Sequence, residues 1–160
     1  MSSDKALHKM TYRELGELFP IIIVEPDENW KNYFNNEKES IFELFEESEI
    51  KSIEHIGSTA IPDIKAKPTI DILMEVSDKI ETKKIIEKLK SIGYQYIQRL
   101  DNPPPHMMFV KGYSLQGFNG QTYHIHVRYK GDWDELYFRD YLRENRQFAN
   151  EYEELKLELA

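Results

Sequence analysis

The chain has 160 residues, 40% hydrophobic and 31% charged, with a formal net charge of −8 and no cysteine. That length suits one domain burying about two-thirds of its unfolded surface. The acidity excludes a general coat for nucleic acid, whose phosphates select basic surfaces, and the missing cysteines exclude disulfides and thiolate metal sites. No apolar run reaches the roughly 18 residues of a membrane span, and the first ten residues, MSSDKALHKM, lack an apolar signal core. A soluble cytoplasmic protein, with no membrane partner, is the expectation. Much of the acid falls in Glu37–Glu49 and Glu144–Glu158, read as solvated helix faces.

Thr11–Phe19 reads as an amphipathic helix, a possible N-terminal extension over 1–19, with Thr11 as cap and Glu14 at capping-box spacing. Ile21–Val24 is short and β-branched, a buried strand or the entry to one, stopped by Pro26. Asp27 then caps a helix over Glu28–Glu47, with Trp30, Phe34, Ile41, Leu44 and Phe45 near helical spacing. Ile50–Ile56 reads as a strand running into Gly57-Ser58. Pro62 and Pro68 bracket a loop that cannot be helical throughout. From Thr69 the period is two: Ile70, Ile72, Met74 and Val76 share one face, and Thr69, Asp71, Leu73 and Glu75 the other.

Asp78–Ile92 is predicted as a helix ended by Gly93, with Ile80, Ile85, Ile86 and Leu89 as its buried stripe. Tyr94–Leu100 is a predicted strand, Asn102–Pro105 a stiff turn, and His106–Gly112 extended. Gly117–Gly120 reads as the hairpin turn before a strand over Gln121–Tyr129. In that strand His124, His126 and Arg128 face one way, and Tyr123, Ile125, Val127 and Tyr129 the other. Trp133–Arg146 and Phe148–Leu159 are the last two predicted helices.

Chemistry concentrates around Ile53–Val76, IEHIGSTAIPDIKAKPTIDILMEV. Gly57 lets backbone N–H groups approach an anion, and Ser58 and Thr59 add hydroxyl donors, a layout for phosphate; the same residues also make an ordinary turn. If the Asp71 strand lies near the strand of His124 and His126, one carboxylate and two imidazoles come together. Such a set suits Mn, Fe, Ni or Zn better than Mg, which prefers oxygen ligands. Lys67 and Arg128 would neutralise phosphate charge. Arg139 and Arg143 form either a second cationic flank or an ion-pair network with the Glu-rich helices. His55 is placed to orient the Gly57 loop, and His106 to sit at the pocket rim.

EHIGSTAIP followed by KPTIDI, together with YHIHV (Tyr123–Val127) and FRDYLRENRQFANEYEELK (Phe138–Lys156), resembles the GrpB family of the nucleotidyltransferase superfamily (DNA polymerase β-like). The likeness runs from about Ile22 to the C-terminus. It implies one domain over 1–160 and an α+β fold, a mixed sheet of about five strands with helices mainly on one face. It also implies a nucleotide or other phosphate ligand, and a divalent metal (Mg, Mn or Zn) at Asp71, His124 and His126. Working members of the superfamily use alternate carboxylates on one strand, plus a third, to hold two Mg²⁺. Here Asp71 matches the first, Leu73 stands at the second, and His124 or His126 replaces the third. Glu75 lies roughly 7 Å beyond Leu73. Three functions stay open: nucleotidyl transfer, a catalytically silent nucleotide-binding or interaction module, and a His/Asp metal-dependent phosphoester hydrolase. Similar domains occur joined to dephospho-CoA kinase, which suggests a helper role near nucleotide or coenzyme metabolism.

Overall fold

In the computed structural model, which describes residues 11–97, 106–131 and 133–159, five strands form one mixed sheet. They are β1 (Ile50–Ile56), β2 (Thr69–Val76), β3 (Gln95–Ile97), β4 (Met107–Ser114) and β5 (Gly117–Tyr129), in the spatial order β1-β2-β5-β4-β3. Only the β2–β5 pair is parallel. That makes β2 a central strand hydrogen-bonded on both sides, and its apolar-rich sequence suits the position.

The period-two reading of β2 describes its two faces. Ile70, Ile72, Met74 and Val76 join Phe109, Ile125 and Val127 in the main core. Two helices close that face: α2 (Asn29–Phe42) contributes Trp30, Phe34 and Ile41, and α3 (Thr82–Lys90) contributes Ile85 and Leu89. The opposite face carries Asp71, but Leu73 beside it is sealed at 0% exposure. The α+β architecture is the expected one.

A second, smaller core lies past the end of β1. Helices α4 (Asp134–Glu144) and α5 (Arg146–Leu159) supply Leu142 and Ala149, which pack on Ile61 and Ile64 with Tyr152 alongside. The segment between β1 and β2 has no ladder partner for most of its carbonyls, and three arginines at i, i+4 and i+7 donate to carbonyls at the end of β1 and along that segment. Arg139 Nη1 donates to His55 O (3.2 Å) and Glu54 Oε2 (2.8 Å), and Arg143 Nε to Ala60 O (2.9 Å). Arg146 donates to Pro62 O and Asp63 O, each at 3.0 Å. Arg139 and Arg143 thus supply half-buried carbonyls with donors from a distant helix, and Arg146 caps two exposed ones.

Several boundaries differ from expectation. Ile21–Val24 is not a buried strand: Val24 makes one isolated bridge to Ala66, while Ile21 and Ile22 are exposed. The extension does form a short helix α1 (Tyr12–Leu18), with Thr11 Oγ1 accepting from Glu14 N at 3.1 Å and donating to Glu14 Oε1 at 3.0 Å. Helix α2 stops at Phe42, before the acidic run ends, and Asp27 accepts from Asn29 N one residue ahead of the helix cap. Helix α3 begins at Thr82 because Ser77–Ile80 forms a turn in which Ser77 Oγ accepts from Lys79 N. The hairpin turn is Leu115-Gln116, so Gly117–Gly120 already belongs to β5. The Asn102–Pro105 turn and the end of the Tyr94–Leu100 strand lie outside the described residues. Among the described residues no helix is long and apolar enough to cross a membrane.

One ionic cluster ties α2 to the sheet. Glu37 accepts from Lys111 Nζ and from Tyr94 OH (2.9 Å), and the ammonium lies 4.7 Å from the Tyr94 ring centroid and 4.9 Å from that of Tyr123. Burial, then the Glu37 charge, pushes the Tyr94 phenol up, so it remains a donor. Removing only one partner leaves the others desolvated. Glu37→Ala should therefore lower unfolding free energy by about 2–3 kcal/mol, and the double change Glu37→Leu/Lys111→Met should lower it less, as read by urea denaturation.

Candidate functional site

Register places the functional face. Asp71 pairs with Ile56 on one side and His124 on the other, so the residue after Ile56 must turn over the Asp71 side chain. That residue is Gly57, at φ +76°, ψ −174°, a region essentially open only to glycine. A Cβ there would fall 2.5 Å from Asp71 Oδ2 and 3.0 Å from Asp71 Cβ. The missing side chain is what lets the bend rest on the carboxylate.

Asp71 keeps 27% of its side chain exposed, with both imidazoles on one of its oxygens: His124 Nδ1 lies 3.4 Å and His126 Nε2 3.9 Å from Oδ1. Burial by itself would raise the Asp71 pKa, but the two histidines outweigh it and hold the carboxyl well below the usual carboxylate range. Asp71 is therefore ionised at physiological pH. The other nitrogen of His124, Nε2, shares a 2.6 Å hydrogen bond with Tyr113 OH, which makes a carboxylate–imidazole–phenol chain. Burial, and secondarily the Asp71 charge, raises the Tyr113 phenol pKa.

The three expected residues come together, but as placed they do not form a metal-ligating group of three or more among the described residues. Both imidazoles crowd one oxygen of Asp71, and one of them is also tied to Tyr113. A two-metal centre does not fit either, because Leu73 offers no donor and is sealed from solvent. Glu75, the next carboxylate on this face, is buried and engaged by Ser52 Oγ (2.7 Å) and Gly131 N (2.8 Å).

The Gly-Ser-Thr bend divides its tasks. Ser58 Oγ is bonded to Tyr152 OH of α5 at 3.1 Å. Thr59 is buried; its hydroxyl donates to Thr69 O and meets His55 Nε2, each at 2.9 Å, so it fixes the loop and is not available to a ligand. His55 stacks on Phe34 with ring centroids 4.8 Å apart. Burial, then the charge of Arg143, pushes its pKa down to about 4, so it is a neutral packing element.

A cavity of about 300 Å³ opens beside the bend, bordered by Ser58, Lys67, Thr69 and Asp71 below and by Tyr152, Leu155 and Lys156 of α5 above. A second cavity of about 400 Å³ shares Lys67 and Thr69 with it and runs on past Pro20, Ile22, Pro68 and Phe118. The other named residues lie elsewhere. Arg128 is four positions beyond His124 on β5, roughly 13 Å along the strand. There it lies over the Trp133 ring (5.2 Å), donates to His106 Nδ1 (3.2 Å) and faces Glu135 (3.5 Å). His106 packs edge-on to Trp133 in the same cluster. Arg139 and Arg143 border a different cleft, beyond the loop.

Tyr113, Tyr152 and Lys156 were not singled out from the sequence. Tyr113 reaches His124 through a bulge: pairing runs Val110↔His124 and Lys111↔Tyr123, then shifts to Tyr113↔Phe118. Gly112 takes φ +97°, and a Cβ there would lie 2.5 Å from Gln121 O. The extra residue moves Tyr113 onto the face of Phe118 and His124. A glycine inside β4 is the only sequence signal for this.

A family profile described as "GrpB protein" matches residues 20–160. The chain belongs to the GrpB family. It is 40% identical over 144 residues to glutamate-rich protein GrpB of Alkalihalophilus pseudofirmus, covering 88% of this chain and 81% of that protein. It is 37% identical to YqkA of Bacillus subtilis over 143 residues, 86% of this chain but 39% of that longer protein. Among solved structures, conserved protein GrpB from Enterococcus faecalis superposes with a TM-score of 0.72 at 30% identity, covering 87% of this chain and 82% of that one. The Cid1 poly(U) polymerase, solved with Mg and 3'-dATP, gives a TM-score of 0.51 at 13% identity over 90% of this chain and 44% of its own. That second likeness shows the fold alone: this GrpB domain shares its arrangement of strands and helices with part of the polymerase.

Two outcomes follow for the GrpB site. Gly57→Ala should lower stability by about 1–3 kcal/mol, the usual cost of forcing such backbone, and should displace the Asp71 resonances in NMR spectra. His55 has a folded pKa of about 4, below its unfolded value of 6.5, so the unfolded state binds the extra proton between those values. Stability should therefore be intact above pH 6.5 and fall by roughly 3 kcal/mol as pH drops to 4. His55→Gln should flatten that part of a pH series of urea melts.

Proposed function

We propose that this GrpB-family domain binds a small phosphate-bearing molecule of the nucleotide class in the cavity at Asp71, as a binding protein and without two-metal nucleotidyl transfer. The observation that carries the reading is the shared border of that cavity: Ser58 of the bend, the Asp71 carboxylate and two lysines, Lys67 and Lys156, face one space. The nucleotidyltransferase frame supports it, since that frame also serves a polymerase solved with a nucleotide.

The chemistry is direct. Asp71 is already clasped by two imidazoles, which leaves Lys67 and Lys156 as the cations for a phosphate, with the hydroxyls of Ser58 and Tyr152 between them. The adjoining cavity, with apolar walls at Pro20, Ile22 and Phe118, suits the base or another flat group. Asp71 accepts a hydrogen bond from a ligand hydroxyl. Leu73 removes the donor that a second metal would need, so no step is assigned to a metal pair. A cytoplasmic location, where nucleotides are plentiful, belongs to the same reading.

A thermal-shift panel of nucleoside mono- and triphosphates, each with and without Mg²⁺, Mn²⁺ or Zn²⁺, tests it. A ligand at about 100 times its dissociation constant should stabilise the fold by about 2.7 kcal/mol. Lys67→Ala and Lys156→Ala should each weaken the best ligand several-fold. A panel with no shift, or one indifferent to both lysines and to Asp71→Asn, would end the proposal. Transfer of labelled nucleotide to any acceptor would overturn its binding-only part.

A further inference from the structure

A cavity larger than the one at Asp71 lies on the far side of the Gly57–Asp63 loop, between α2 and α4: a cleft of about 680 Å³. That volume falls inside the range of about 300–1,000 Å³ typical of small-molecule sites, and none of the chemistry assigned to Asp71 uses it. Its lining shares no residue with the Asp71 cavity.

The walls are of two kinds. One is aromatic and apolar: Trp30 and Phe34 from α2, the His55 ring stacked on Phe34 at an interplanar angle of 10°, and Ile53 and Ile61. His55 is held neutral there, so this shelf carries no charge of its own. The other wall is charged, with two arginines from α4. Arg139 is satisfied by Glu54 at 2.8 Å and by Asp140. Arg143 differs: its Nε donates to Ala60 O, and among the described residues its two Nη groups have no hydrogen-bond or ion-pair partner. Burial and then Arg139 depress the Arg143 pKa, an effect that Asp140 and Glu54 offset only in part. Lys38 adds a second cation, 5.9 Å from the Phe34 ring centroid. The lining carboxylates equal the lining cations in number, so the preference for an anion rests on geometry: Asp27 accepts from Asn29 N, Glu54 is engaged by Arg139, and Glu28 and Asp63 are exposed, which leaves the Nη groups of Arg143 as the free donors.

We infer that this cleft is a second ligand site, for a small organic anion with a flat apolar body and a carboxylate or phosphate head. The body lies along the Trp30–Phe34–His55 shelf, and the head meets the free fork of Arg143, whose paired N–H groups match two oxygens of either anion. A neutral molecule of the same shape would gain only the shelf. The site is independent of the proposal for Asp71 and stands or falls separately.

Titration of the ¹⁵N-labelled full chain with benzoate, phenyl phosphate and benzyl alcohol tests it, read from amide and indole shifts. Both anions should move the Trp30 indole and the amides of Asn35, Lys38 and Arg143 in a saturable way, and leave the Trp133 indole still. Benzyl alcohol should bind at least tenfold more weakly. Arg143→Gln should bring the anions down to the level of the alcohol. Because that change also removes the Ala60 contact, Asn35→Trp, which fills the cleft from the exposed side of α2, should abolish binding of all three with the fold intact. Asp71→Asn should leave these titrations unchanged while removing any nucleotide binding. Which anion wins distinguishes a carboxylate ligand from a phosphate one. Absence of saturable shifts, equal binding of alcohol and anions, or shifts that persist in Asn35→Trp would overturn the inference.

Discussion

The contact on which this structure turns is the seat of the Gly57 backbone on the Asp71 carboxylate. It exists because one residue lacks a Cβ and adopts a conformation closed to others, and because β1–β2 pairing brings Ile56 opposite Asp71. From it follow the direction of the Ser58–Ala60 turn, the inward placement of Thr59 and the path of the proline-bracketed loop. Donors from far along the chain then hold this segment: Arg139 takes the His55 carbonyl at the end of β1, and Arg143 and Arg146 take loop carbonyls at Ala60, Pro62 and Asp63. Local backbone strain at the site is thus held by tertiary contacts with the two C-terminal helices.

The electrostatics of the Asp71 face follow the same logic of compensation. A carboxylate on a central strand is expensive to desolvate, and two imidazoles across the parallel β2–β5 register offset that cost. Glu75 on the same face is spent on Ser52 and Gly131, and Leu73 closes the space between. The sheet and helices are arranged as in part of a polymerase, while on this face Leu73 stands where an alternate carboxylate would follow Asp71. A shared fold does not by itself carry a shared chemistry.

The Gly57–Asp63 segment is a wall with two sides. Ser58 looks toward α5 and the lysine-bordered cavity, while His55, Thr59 and Ala60 look toward α2 and the larger cleft. His55–Thr59–Thr69 and Thr69–Thr122 hydrogen bonds run between those sides through the sheet. Two cavities with different charge and shape therefore share one rigid partition.

The sequence by itself determined the elements whose signals are local or periodic. The alternation of Thr69–Val76 separated the core face from the Asp71 face, the alternation of Gln121–Tyr129 put His124 and His126 together, and the Gly57-Ser58 break after an apolar strand marked the bend. The family likeness supplied the sheet. What only the tertiary structure decided were relations between distant segments: that Arg128 and His106 join Trp133, that Arg139 and Arg143 serve another cleft, and that Tyr152 and Lys156 roof Asp71. Periodicity assigns a side chain to a face, but the distance along that face, and which helix covers it, depend on strand order and packing. Tyr113 shows the limit most clearly, since a single bulge at Gly112 reversed its parity and brought it to His124.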